Sequence, residues 1–214
     1  LVPGQDLAEL IPESGLPLER SLRIAGQVAD ALNAASEQGV IHRDLKPANV
    51  MVGPRDEVKL LDFGLAKLRE DVEIERTQAG TQAVTQDGMI FGTVAYMSPE
   101  QLEGHPADHR SDLFSLGVIL YELVTGKRPF VGATSAAIMS SILRDEPTRA
   151  STYRTDLPAA LDRILAGEGQ AHGVHAEAPD DARVQALEVQ HQHVIVDAGQ
   201  RVEHGASGAG GVVT

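Results

Sequence analysis

The sequence contains no cysteine. That excludes a disulfide framework, a thiolate metal site and thiol redox chemistry, and it fits a reducing cytoplasm. Long apolar runs are missing too: no window approaches the roughly 18 residues that a membrane-spanning helix requires. The opening LVPGQDLAEL has neither a basic nor an apolar leader region, so no targeting or membrane segment is expected in this chain. A membrane anchor elsewhere in a full-length protein is compatible with that reading. Basic residues are scarce, with 18 Lys and Arg against 31 Asp and Glu and a formal charge of -13. Phosphate-rich surfaces need clustered Lys and Arg, so no nucleic-acid partner is expected.

What is present is ordinary globular material. Of 214 residues 42% are hydrophobic and 23% charged, enough for one domain with its own core plus a tail. From Leu18 to about Gln38 the apolar residues Leu18, Leu22, Ala25, Val28, Ala29, Leu32 and Ala35 keep the spacing of an amphipathic helix, which Gly39 should stop. The period then changes to short Val- and Leu-rich runs, NVMV and VKLLDF, separated by the turn signal Gly53-Pro54-Arg55-Asp56; two paired strands are expected. Residues 66 to 90 are polar and aperiodic and read as a long functional loop. A nearly all-apolar helix is expected from Ser111, as N-cap, to Thr125-Gly126, with further helices from about Thr134 to Arg144 and from Pro158 to Ala166. The fold class is therefore mainly α with a small β-ribbon.

After residue 166 the character shifts. Five of the eight histidines fall there, no lysine does, and the chain runs out in GASGAGGVV. Residues 1–166 are read as one domain and 167–214 as an atypical tail, disordered or frame-shifted. A continuous in-frame cDNA would refute the frame shift, leaving a lineage-specific tail. The His191 and His193 pair has no carboxylate or thiol in register and reads as polar surface, not as a metal site.

One constellation carries chemistry. IHRDLKPANV sets His42, Arg43, Asp44, Lys46 and Asn49 in the order H-R-D-L-x-x-x-N, and Asp62-Phe63-Gly64 begins 18 positions after Asp44. Singly these are weak signals; together, in this order, they resemble the protein-kinase family. GTVAYMSPE, ending in Ser98-Pro99-Glu100, resembles the end of the kinase activation segment. The wording of GTVAYMSPEQLEG and SDLFSLGVILYELVTGKRPF is similar to the bacterial Ser/Thr kinases of eukaryotic-like type, over roughly residues 1–166.

The resemblance implies transfer of the ATP γ-phosphate to Ser or Thr hydroxyls of protein substrates, with ATP and Mg²⁺ as cofactors. By it, Asp44 is the base that orients the substrate hydroxyl and Lys46 meets the transferring phosphate. Asn49 and Asp62 hold Mg²⁺ through hard oxygens. Thr93 bonds near Asp44 and Lys46, and Asp112 ties the catalytic-loop backbone to the buried helix. Asp112 can equally serve as a helix N-terminal charge, and the two roles are compatible. His42, Phe63, Gly64 and Glu100 belong to the supporting structure. Arg43 suggests regulation through a phosphate on the loop, with Thr77, Thr81 and Thr85 as acceptors and Thr85 preferred; the plain alternative is that these are ordinary loop residues. Asp87 then mimics part of one phosphate.

The resemblance also implies parts that these residues do not show. The four lysines, Lys46, Lys59, Lys67 and Lys127, all lie in or after the catalytic loop, and no G-x-G-x-x-G run precedes it. The opening Leu1-Val2-Pro3-Gly4 looks like the hinge between kinase lobes, which puts Val2 at the nucleotide. The expectation is a kinase C-terminal lobe with the N-terminal lobe absent, weak in ATP binding and in activity by itself. The alternative is a non-catalytic binding or scaffold module of the same fold.

Overall fold

The computed structural model describes residues 4–63 and 90–166. The proposed tail, most of the long loop with Thr77, Thr81, Thr85 and Asp87, and the positions of Val2 and Gly64 lie outside the described residues.

The chain enters through a strand of two residues, β1 (Gln5–Asp6), and a single helical turn, α1 (Leu7–Leu10). Asp6 serves both, since its carboxylate accepts the N–H of Glu9 at 2.8 Å and caps the turn. The first long helix, α2 (Leu18–Glu37), buries the expected Ala25, Val28 and Leu32 together with Ser21 and Ile24, which were not expected, while the expected Leu22 and Ala29 are half-buried. Gln38 closes it, and Gly39 follows in the left-handed region at φ +70°. There the N–H groups of Gly39 and Val40 return to Ser36 and Ala35 and satisfy carbonyls at the helix end.

A short 3₁₀ turn, Pro47–Asn49, leads into β2 (Val50–Val52) and β3 (Val58–Leu60). The expected two-stranded ribbon is in fact a three-stranded antiparallel sheet of order β1-β2-β3, in which Gln5 faces Val52 and Val50 faces Leu60. The β2–β3 turn is fastened to α2 from both sides of Asp56. Its carboxylate takes Arg20 and Arg23 at 2.9 Å each, and its carbonyl accepts the amide of Gln27 at 2.8 Å.

After the long loop come α3 (Ile90–Val94) and α4 (Pro99–Leu102), then the central helix α5 (His109–Thr125). The helix starts earlier than expected. Asp108, not Ser111, is the N-cap and accepts the N–H of Arg110, while Ser111 lies inside the helix with its hydroxyl on Glu100. Leu116, Ile119, Leu120, Leu123 and Val124 of α5 are all essentially inaccessible. They form the core with Ile24 and Val28 of α2, each large side chain contributing about 1.5–3 kcal/mol by its removal from water.

The end of α5 is interlocked with the segment before α2. Gly126, left-handed at φ +67°, lies so close that a Cβ there would meet the Glu13 carbonyl oxygen at 2.3 Å. Leu16 donates its N–H to the Leu123 carbonyl at 2.7 Å, and Arg154 bridges the carbonyls of Leu16 and Val124. Beyond lie α6 (Ser135–Arg144), capped by Thr134, a 3₁₀ turn at Ala150–Thr152, and α7 (Ala159–Leu165). Among the described residues no helix is long and apolar enough to cross a membrane.

Candidate active site

The segment between α2 and β2 carries the H-R-D-L-x-x-x-N residues, and its backbone is pinned from inside. Asp112, in the first turn of α5 and 5% exposed, accepts the N–H of His42 through one carboxylate oxygen and that of Arg43 through the other, both at 2.8 Å. Burial pushes the Asp112 carboxyl above its usual range, and the two N–H donors pull the other way without fully offsetting it.

His42 is fully buried. Its Nε2 lies 2.9 Å from the Leu61 carbonyl oxygen, an acceptor, so that nitrogen carries a proton, and Nδ1 is buried without a hydrogen-bond partner among the described residues. The ring also packs on Phe63, with centroids 4.8 Å apart. Together these contacts hold the chain on both sides of Asp62, which is exposed and itself left-handed at φ +60°.

Four expected site residues come together as one hydrogen-bonded cluster. The ammonium of Lys46 donates to both carboxylate oxygens of Asp44, at 2.8 and 3.1 Å, and to the hydroxyl of Thr93 at 3.1 Å. Asn49 donates its amide to the Asp44 carbonyl at 2.7 Å and to the nearer carboxylate oxygen at 3.2 Å. With its NH₂ so engaged, the amide oxygen of Asn49 is the atom left to accept or ligate. The Asp44 and Lys46 side chains are 29% and 21% exposed, which leaves them open to a substrate.

Among the described residues no group of three or more His, Asp or Glu side chains could hold a metal unaided. An amide oxygen and one exposed carboxylate nevertheless fit Mg²⁺, which keeps several waters and binds through one or two protein oxygens plus substrate phosphates. Asn49 and Asp62 are the residues of that kind here.

Glu100 stands apart from this cluster and accepts the Ser111 hydroxyl. One contact was missed in the sequence. Ser98 and Gln101 form a capping box at the start of α4, and the amide of Gln101 reaches the Arg43 carbonyl at 2.7 Å. The S-x-x-Q spacing signals the cap, but nothing local signals the reach to Arg43. Nearby, Tyr96 is buried with its hydroxyl on Glu122, and Arg128 lies 5.6 Å over its ring. Burial and then the Glu122 charge push the Tyr96 phenol well above its usual range.

Residues 1–170 match the family model described as the protein kinase domain. Serine/threonine-protein kinase pkn3 of Myxococcus xanthus is 43% identical over 171 residues, covering 77% of this chain and 30% of the relative. The probable serine/threonine-protein kinase PknB of Corynebacterium glutamicum is 41% identical over 158 residues, 73% of this chain and 23% of the relative. PknB of Mycolicibacterium smegmatis is 36% identical over 165 residues, 77% and 25% respectively. The chain thus spans about a quarter to a third of the length of the curated relatives it matches. It belongs to the protein kinase domain family, among the serine/threonine kinases of bacterial, eukaryotic-like type.

Proposed function

We propose that this chain carries the catalytic half of a protein Ser/Thr kinase that moves the γ-phosphate of ATP to protein hydroxyls. The observation that supports it is the cluster in which Lys46 joins Asp44 to Thr93 while Asn49 holds the Asp44 carbonyl.

Asp44 accepts the proton of the substrate hydroxyl as that oxygen attacks, its carboxylate oriented by the Lys46 head at 2.8 Å. Lys46 is placed to turn from that carboxylate to the phosphate being transferred. Thr93 fixes the lysine head from the far side. Asn49, through its amide oxygen, and Asp62, through its exposed carboxylate, are the residues that would hold Mg²⁺. Bound MgATP supplies the phosphoryl group and the charge neutralisation that lets it leave its diphosphate.

The Gly-rich strand-turn-strand and strand lysine that complete this site in the family are taken to lie outside these 214 residues, and Val2 is assigned to the nucleotide side of the hinge. The same reading assigns Thr85, or else Thr81 or Thr77, as a phosphate acceptor answered by Arg43, and places the enzyme in the cytoplasm or on a membrane's cytoplasmic face. The test is labelling of a Ser/Thr-containing protein by MgATP with the full-length parent and with the 214-residue chain. The parent is expected to label its substrate and to lose about 10²–10⁴ of that rate as Asp44→Asn, with the chain by itself near background. A parent without MgATP-dependent transfer sinks the proposal in favour of the scaffold reading. A chain that transfers robustly by itself refutes the assignment of the nucleotide-covering parts.

A further inference from the structure

Arg43, the residue before Asp44, sits in the left-handed region at φ +66°, which side chains other than glycine rarely adopt. Such a residue persists only where its surroundings over-determine it. Both of its peptide groups are held here. Its N–H goes to Asp112 at 2.8 Å, and its C=O accepts the side-chain amide of Gln101 at 2.7 Å. That carbonyl belongs to the same rigid peptide plane as the N–H of Asp44.

The orientation of the Gln101 amide follows from its partners. On the other side the Ser98 N–H, which can only donate, lies 3.0 Å from Oε1, and the Ser98 hydroxyl lies 3.2 Å away. The atom facing Arg43 is therefore the nitrogen. Ser98 is fully buried, so this end of the bridge cannot drift. Gln101 thus spans two places that must agree: the cap of α4 and the peptide that leads into Asp44, whose carboxylate meets Lys46.

We infer that Gln101 is a positioning residue for Asp44, acting through the Arg43 carbonyl and coupling the seating of α4 to the geometry of the base. This rests on the reading of Asp44 as the base of phosphoryl transfer. A base aimed a fraction of an ångström away binds its substrates normally and turns them over slowly, so the effect falls on kcat.

The test uses the full-length parent and the variants Q101E and Q101L. At pH 8 the Q101E carboxylate sets an oxygen against the Arg43 carbonyl, and kcat is expected to fall about 10- to 100-fold with KM for ATP and acceptor within about twofold. A protonated glutamic acid can donate as the amide does, so the ratio of Q101E to wild-type kcat should climb as the pH is lowered to 5.5. Q101L should lose as much and show no such recovery. In Q101L, hydrogen exchange at the amide of Arg43, which donates to Asp112, should also quicken while α5 stays protected. Wild-type kcat in both variants, or a Q101E deficit equal at every pH, overturns the inference. Should the wild-type parent transfer no phosphate, the function reading fails separately, and the exchange measurement decides: unchanged protection at the Arg43 amide in Q101L overturns the role of Gln101.

Discussion

Asp112 accepts the main-chain N–H of Arg43 at 2.8 Å across 69 residues of sequence. Its second oxygen does the same for His42, so one side chain of the central helix carries the loop that holds the proposed base. Asp112→Ala leaves two N–H groups facing a buried gap, and a loss of about 2–4 kcal/mol is expected in urea denaturation. An unchanged midpoint would mean that water reaches those groups.

Thr93 meets Lys46 from 47 residues away at 3.1 Å. Thr93→Val keeps the shape and removes the hydroxyl, one hydrogen bond to a charged group. Turnover is expected to drop about 10-fold with the thermal midpoint within a few degrees. Steady-state kinetics beside a melting curve separate this from simple unfolding.

Asp56 combines a left-handed backbone at φ +59° with two ion pairs, to Arg20 and Arg23. Asp56→Gly removes the pairs and relaxes the backbone, whereas Asp56→Ala removes the pairs and keeps the strain. Because the pairs are partly exposed they are worth about 1 kcal/mol or less each, and the alanine variant should be less stable than the glycine variant by about a further 1 kcal/mol. Equal stabilities would show that the turn opens in both.

Asp162 tests the acid limb. The residue is 6% exposed, and its carboxylate takes the Ser151 N–H at 2.7 Å and the Ser151 hydroxyl at 2.8 Å, with Arg149 at 3.4 Å. Burial raises its pKa, but the Ser151 bonds and Arg149 more than offset this and hold it below its ordinary value of 3.8. A lowered folded pKa means that the unfolded chain takes up the proton first. The stability from Asp162 is therefore present above pH 3.8 and lost as the pH falls through the folded value. Asp162→Asn should cost about 1–3 kcal/mol at pH 6 and progressively less below pH 3.8, read from denaturation at each pH.

The long helices were legible because their signals are local and repeated: α2 announces its face through Ala25, Val28 and Leu32, while the fully buried Ile24 fell outside the expected set. The strand β1 was not, since Gln5 and Asp6 are two polar residues without alternation, and only their pairing with Val52 and Met51 makes them a strand. The start of α5 was misplaced because Asp108, Ser111 and Asp112 all suit an N-cap, and backbone geometry rather than residue type selects Asp108. In the site, Asp44, Lys46 and Asn49 sit within one short segment, so their order could be read directly. The contact from Gln101 to Arg43 spans 58 residues and has no sequence signature.

The interlock between α5 and the segment ahead of α2 also bears on how the chain is made. Ser21 and Leu16 both bond to the Leu123 carbonyl, 102 residues after Ser21. The apolar face of α2 therefore lacks its α5 partner until α5 has left the ribosome. At about 5–20 residues per second that wait lasts about 5–20 s. During it, Ile24, Val28 and Leu32 stand without the cover that α5 gives them in the folded chain.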